Sequence, residues 1–242
     1  MCDRVDRALA WARAALADAP GAEPLDAPVL LAHLLGVQRA ALHAHPERPL
    51  TPEQTADFRR MIEGRRRGVP VAYLTGRRAF FDREFAVSPA VLIPRPETEH
   101  LIEAALAWAR GRAGLRVADV GTGSGAIAVT LAAHLPDAAV WAIDVSEEAL
   151  AVARENAARA GVEARITWLG GDLLSPLLAH TIQVDLIAAN LPYIPSADLD
   201  GLAVARFEPR SALDGGPDGL DLMRRLLAQA PETLAPGGLA LL

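Results

Sequence analysis

The chain has 242 residues, 51% hydrophobic and 22% charged, with a formal net charge of −6. This composition can build a sizeable core and excludes a disordered chain. No apolar run reaches the length of a membrane span, the first residues lack a leader's basic start and apolar core, and the single cysteine, Cys2, excludes an internal disulfide framework and a cysteine-caged zinc site; a cytoplasmic protein is expected. All 24 basic residues are arginine, and the acidic balance argues against bulk binding to duplex nucleic acid.

The first seventy or so residues read as helical. Val5, Leu9, Ala12 and Leu16 recur at helical spacing as far as Pro20-Gly21. Asp26 is placed to cap a second helix, with Pro28 in its first turn and Gly36 at its end. Thr51-Pro52-Glu53-Gln54 combines a capping-box Thr and Gln with Pro at the first helical position, which predicts a third helix to about Arg67. Arg65-Arg66-Arg67 reads as a solvated helix end, with a local basic patch as the other reading. His33, His43 and His45 share no helix face with a carboxylate and read as structural or exposed. Phe80, Phe81, Phe85 and Val87 are strand-like, and Pro89, Pro94 and Pro96 punctuate the end, predicting a short β-hairpin between two domains. Ile93 to Glu99 then leads into a helix ending near Gly111.

From Leu115 onwards, strands at 115–120, 139–143, 165–169, 184–189 and 238–242 alternate with helices at 124–134, 147–160 and 219–230. This is the pattern of βαβ units in a parallel sheet, whose ligands sit at the carboxyl ends of the strands near the topological switch point. Gly121-Thr122-Gly123-Ser124-Gly125 follows the first of these strands and opens a helix, so its backbone can approach a ligand closely. Asp144 ends the second strand, where a carboxylate can accept from both ribose hydroxyls of NAD or S-adenosylmethionine; Ser146 is the better cap for the next helix. Asp172 and Leu173 follow the third strand. They read equally as an adenine-edge contact with an apolar neighbour and as a helix cap.

Asn190-Leu191-Pro192-Tyr193 ends the fourth strand. Pro192 pushes Leu191 towards extended geometry. The Leu191 carbonyl and the Asn190 side-chain oxygen can then accept from one planar NH₂ group, with Tyr193 stacked beside it. Such acceptors orient an amide nitrogen and stabilise the positive charge that grows on it during methylation. A plain turn after a buried strand is the alternative.

With these motifs the chain resembles the HemK/PrmC family of protein-(glutamine-N5) methyltransferases, which act on peptide chain release factors. The resemblance runs from Pro70–Gly76 through Val91–Glu99, Asp119–Ala126 and Ala189–Ile194 to Phe207–Leu213 and Asp218–Leu220. It implies a Rossmann-like class I methyltransferase sheet with a small N-terminal helical domain and a hairpin linker. The expected divisions are 1–75 for gripping the release factor, 76–96 for the linker and 97–242 for the methyltransferase domain. It implies S-adenosylmethionine as cofactor, with methionine over Gly121–Gly125, ribose on Asp144, adenine near Asp172 and Leu173, and Asn190 also among the cofactor's contacts. The substrate would be the glutamine of a Gly-Gly-Gln loop in a release factor, held by Asn190 and the Leu191 carbonyl with Pro192 and Tyr193 beside it; no membrane or stable nucleic-acid partner is expected. Two departures stand out. The family usually carries Pro where this chain has Leu191, and the chain ends inside the expected fifth strand, which reads as a truncation. An adenine-N6 nucleic-acid methyltransferase and a non-catalytic release-factor or cofactor-binding fragment are the alternatives. A nicotinamide dehydrogenase is disfavoured by the Asn190–Tyr193 loop.

Overall fold

The computed structural model describes residues 3–242, so Cys2 lies outside the described residues. The chain divides into two compact units, one through Gly76 and one from Arg77. In the first unit the helices are α1 (Val5–Leu16), α2 (Asp26–Leu35), α3 (Arg39–Ala44), α4 (Pro52–Arg66) and α5 (Val71–Thr75). The apolar stripe of α1 packs with Leu30 and Leu31 of α2 and Phe58 and Ile62 of α4 in one buried cluster. Thr51 and Gln54 form the expected capping box at the start of α4.

Two expectations in this unit change. Arg65 is not solvated: it is buried, and its Nε donates to Asp26 Oδ2 at 2.7 Å. Asp26 is not the N-cap but the first residue of α2; the same carboxylate oxygen accepts from the Glu23 N–H at 3.0 Å. The stem of Arg65 fits the helix interface and its head requires a buried counter-charge, which Asp26 supplies. Arg66 and Arg67 remain exposed beside Glu63.

The second unit opens with an antiparallel hairpin, β1 (Arg77–Phe80) and β2 (Arg83–Ala86), followed by α6 (Thr98–Ala109). Then come β3 (Arg116–Val120), α7 (Ala126–His134), β4 (Ala139–Asp144), α8 (Glu147–Arg159) and β5 (Ile166–Gly170). The chain continues through α9 (Ser175–Ala179), β6 (Val184–Ala189), short 3₁₀ turns between Leu199 and Ala212, α10 (Asp221–Thr233) and β7 (Leu234–Leu241). The five strands from β3 onwards form a parallel sheet in the order β5-β4-β3-β6-β7.

Side chains alternate across this sheet with the period of a pleated strand. Val117, Val140, Ala142, Leu186 and Ala188 face a cluster with Ile102 and Ala105 of α6 and most of α7. Ala118, Val120, Ile143, Ile187 and Ala189 face another, with Leu177 of α9 and Leu226 and Ala230 of α10. Both faces are therefore covered, as a parallel sheet requires.

The last strand begins earlier than its sequence suggests. The sequence pattern places this strand at 238–242. In the structure Leu234 already pairs with Val184 and Leu239 with Leu186, and the residues between them form a bulge. A bulge holds residues that cannot join the ladder, so Pro and Gly interrupt the register without ending the strand.

Candidate active site

The sheet order brings the chemistry together. Chain order runs outward from β3 through β4 to β5, then returns to β6 on the other side of β3. The crevice at that reversal is where ligands of open α/β sheets bind. Val120 is paired with Ala189 across it, so Gly121 and Asn190 are the next residues on each side. Val120 also pairs with Ile143, and Asp144 with Gly170, which sets Asp144 and the segment after β5 in the same row of strand ends.

A cavity of about 990 Å³ opens there. Its lining includes Gly121, Thr122, Gly123, Ser124, Asp144, Asp172, Leu173, Asn190, Leu191 and Pro192, ten of the residues singled out from the sequence. Gly125 is not on its surface: it is the cap before α7, packed towards Ala153. Tyr193 lies instead on a neighbouring cavity of about 540 Å³, shared with Met223 and Leu242. Asn190 and Leu191 line both cavities and form the wall between them. Tyr193 is 64% exposed, so its ring is free to meet a ligand.

The glycine loop is shaped for close approach. Gly123 has φ of +55°, and a Cβ there would meet nothing nearer than the Gly121 carbonyl oxygen at 4.0 Å. The backbone therefore lies bare under the cavity, which an ordinary side chain would fill. Asp144 holds the loop: its Oδ2 accepts from the Gly123 N–H at 2.9 Å and its Oδ1 from the Ser146 N–H at 3.0 Å. A carboxylate has further lone pairs, so Asp144 can also accept from a ligand's hydroxyls. Ser146 caps α8 through its hydroxyl, which accepts from the Ala149 N–H at 3.1 Å. Val145, next to Asp144, is a 65% exposed apolar side chain on the cavity wall.

Neither sequence reading anticipated the partner of Asp172. Its carboxylate does not cap the following turn but pairs with Arg225 of α10. Leu173 is buried at the cavity edge with φ of +51°.

Below the loop, Asp119 is fully buried. Its Oδ2 accepts from the Thr122 hydroxyl at 2.6 Å and the Ala128 N–H at 2.9 Å; its Oδ1 has no partner among the described residues. Burial pushes its carboxyl from 3.8 to about 7; those two hydrogen bonds oppose the rise and the Asp144 charge adds to it.

The tetrapeptide is braced from several directions. Asn190 Nδ2 donates to Thr98 Oγ1 at 2.9 Å, a partner at the start of α6 that strand-end reasoning does not reveal. Leu191 is buried, and its Cδ2 lies over Gly121. After Tyr193, the Ile194 N–H donates to the Leu213 carbonyl and the Gly215 N–H to the Ile194 carbonyl. Gly219 approaches so closely that a Cβ on it would overlap the Tyr193 carbonyl. Asn156 of α8 was also missed. It donates to the carbonyls of Ser124 and Ala86 and accepts from the Ala86 N–H, which ties the glycine loop to the hairpin.

Comparison with known proteins gives this geometry its context. Residues 7–76 match the family model described as the PrmC N-terminal domain, and residues 117–206 match a methyltransferase domain. The chain is 49% identical over 216 residues to the release factor glutamine methyltransferase of Moorella thermoacetica, covering 89% of this chain and 76% of that protein. Identity to the protein of the same name from Bordetella pertussis is 48% over 224 residues, or 92% of this chain and 82% of that one. For Geobacter sulfurreducens it is 43% over 238 residues, or 97% and 81%. The chain belongs to the release factor glutamine methyltransferase family. It is therefore a methyltransferase with the class I fold, and S-adenosylmethionine is its cofactor. The bare glycine backbone, the Asp144 carboxylate and the exposed apolar Val145 along one cavity fit the amino-acid, ribose and base parts of that molecule. Among the described residues no helix is long and apolar enough to cross a membrane.

Proposed function

We propose that this methyltransferase modifies the side-chain amide nitrogen of the glutamine in the Gly-Gly-Gln loop of a peptide chain release factor, in the cytoplasm. The observation that carries the reading is the position of Asn190 and Leu191 between the two cavities, with the Asn190 NH₂ end already committed to Thr98. That commitment leaves Oδ1 to accept from a ligand.

When bound, S-adenosylmethionine supplies a methyl group activated by its sulfonium. The chain's task is then to present a poor nucleophile correctly. Asn190 Oδ1 and the Leu191 carbonyl accept the two N–H groups of the acceptor amide, and Pro192 holds Leu191 extended. Positive charge grows on nitrogen as the new bond forms, and these two oxygens stabilise it. The nitrogen then gives one proton to solvent water, which restores a neutral amide. Tyr193 covers the acceptor from the smaller cavity. In the larger cavity Gly121–Ser124 underlie the methionine part, Asp144 accepts from the ribose hydroxyls, and Asp172 and Leu173 border the adenine. The division of labour follows the sequence expectation: 1–75 grip the release factor, 76–96 form the linker, and 97–242 carry out the transfer.

The test supplies methyl-labelled S-adenosylmethionine with a release factor, and separately with RNA and DNA. Label is expected in the release factor at the glutamine of its Gly-Gly-Gln loop. Asn190→Ala should slow transfer by about 100-fold, leaving a measurable residual rate, while cofactor affinity changes by less than about threefold, because Asn190 acts on the acceptor. Label in nucleic acid alone, or near-normal turnover by Asn190→Ala, would overturn the reading.

A further inference from the structure

The Asn190 amide has two opposite ends, and only one suits an acceptor that carries hydrogens. An oxygen must face that nitrogen; an NH₂ end would set donor against donor. Reversing the amide exchanges the two ends with almost no change in shape. A productive site therefore needs something that holds Nδ2 away from the ligand.

Thr98 occupies that position. Its Oγ1 accepts from Asn190 Nδ2 at 2.9 Å, across 92 residues of sequence. It also lies on the wall of the larger cavity, beside Asn190.

Thr98 is held in turn by the segment before it. Its N–H donates to the Arg95 carbonyl at 3.1 Å. Arg95 Nη2 donates to Glu208 Oε1 at 2.5 Å, and the Ile93 N–H donates to Glu208 Oε2 at 3.0 Å. The Glu208 side chain is 2% exposed, so this carboxylate is a buried anchor rather than a surface contact. The path runs from Glu208 through the turn at 93–95 to Thr98, and from Thr98 to the Asn190 amide.

We infer that Thr98 is a positioning residue for methyl transfer: its hydroxyl bonds the end of the Asn190 amide that faces α6, here Nδ2, and so anchors the side chain with its other end at the acceptor amide. This rests on the reading of Asn190 as the acceptor's ligand. Valine matches threonine in shape but offers no acceptor. In Thr98→Val the Asn190 amide is free to reverse or drift, and a misplacement of about 1 Å costs on the order of a hundredfold in rate.

The experiment compares the full-length wild type with Thr98→Val, Thr98→Ser and Asn190→Ala. Thr98→Val should lower kcat for release-factor methylation about 10- to 100-fold, with the S-adenosylmethionine Kd within about twofold and the melting temperature nearly unchanged. Thr98→Ser, which keeps the hydroxyl, should recover most of the rate. Adding Thr98→Val to Asn190→Ala should cost nothing more, since the two act as a unit. Independently of turnover, the Asn190 side-chain NH₂ should exchange with solvent slowly in wild type and much faster in Thr98→Val, read by ¹⁵N NMR. A Thr98→Val kcat within about twofold of wild type, losses that multiply in the double variant, or unchanged exchange would overturn the inference. Absence of release-factor labelling by the wild type would instead refute the proposed function, and the exchange measurement would still decide whether Thr98 orients Asn190.

Discussion

Asp119→Asn should make the protein's stability depend on pH in a different way, and the structure sets the size of the effect. In the folded chain Asp119 is fully buried, and its carboxyl is pushed from 3.8 to about 7. The unfolded chain returns it to the ordinary range, near 3.9. Between about pH 4 and pH 7 the folded state holds a proton that the unfolded state has released, so this group's contribution to stability falls as pH rises. The fall is complete above about pH 7 and absent below about pH 4. A displacement of that size amounts to about 4 kcal/mol at most. Asparagine has nearly the same shape and cannot ionise. Its oxygen can take over the hydrogen bonds from the Thr122 hydroxyl and the Ala128 N–H, leaving its NH₂ where Oδ1 has no partner. The stability of Asp119→Asn minus that of wild type should therefore climb by up to about 4 kcal/mol between pH 4 and pH 7, then level off. Urea unfolding of both proteins without cofactor, at intervals from about pH 4 to pH 8, measures this difference. Subtracting the two curves cancels the other carboxylates, including those whose ionised form is favoured by folding. A difference constant across that range would show that Asp119 ionises in the folded protein as readily as in the unfolded chain.

Three other outcomes follow from single contacts. Asp144→Ala should weaken S-adenosylmethionine binding by about 1–3 kcal/mol, because the ligand loses charged hydrogen bonds and the loop loses its hold on the Gly123 N–H; calorimetry checks it. Leu191→Pro keeps the acceptor carbonyl but removes buried side-chain contact over Gly121, so turnover should remain within about tenfold while stability falls by about 1–2 kcal/mol, measured by labelled transfer and urea unfolding. Arg65→Met leaves the Asp26 carboxylate buried without its counter-charge and should destabilise the first unit by about 3–5 kcal/mol, with the S-adenosylmethionine affinity of the second unit unchanged.

Elements and strand ends were legible in the sequence because they depend on short-range pattern. The spacing of Val5, Leu9, Ala12 and Leu16, the Thr51–Gln54 capping box and the Ser146 cap each specify structure within a turn or two of chain. Alternating strands and helices were enough to place Gly121, Asp144 and Asn190 at strand ends, and the structure brings all three to one cavity. The last strand, expected at 238–242, starts at Leu234 instead, because local pattern does not reveal that a neighbouring strand accommodates the residues before Leu239 in a bulge.

What lay beyond the sequence are the partners of the site residues. Asn190 with Thr98, Asp172 with Arg225, Arg65 with Asp26, and Asn156 with Ala86 and Ser124 join residues between 32 and 92 positions apart. No local preference encodes such a pairing. Arg65 with Asp26 depends on how α4 packs on α2; the others depend on which strand lies beside which, and the order β5-β4-β3-β6-β7 is a property of the whole packed sheet. The amino-acid sequence alone thus specified that an amide, a glycine loop and a carboxylate stand at strand ends. Only the tertiary structure decided what anchors the Asn190 amide, because the hydroxyl that holds it arrives on a separate helix.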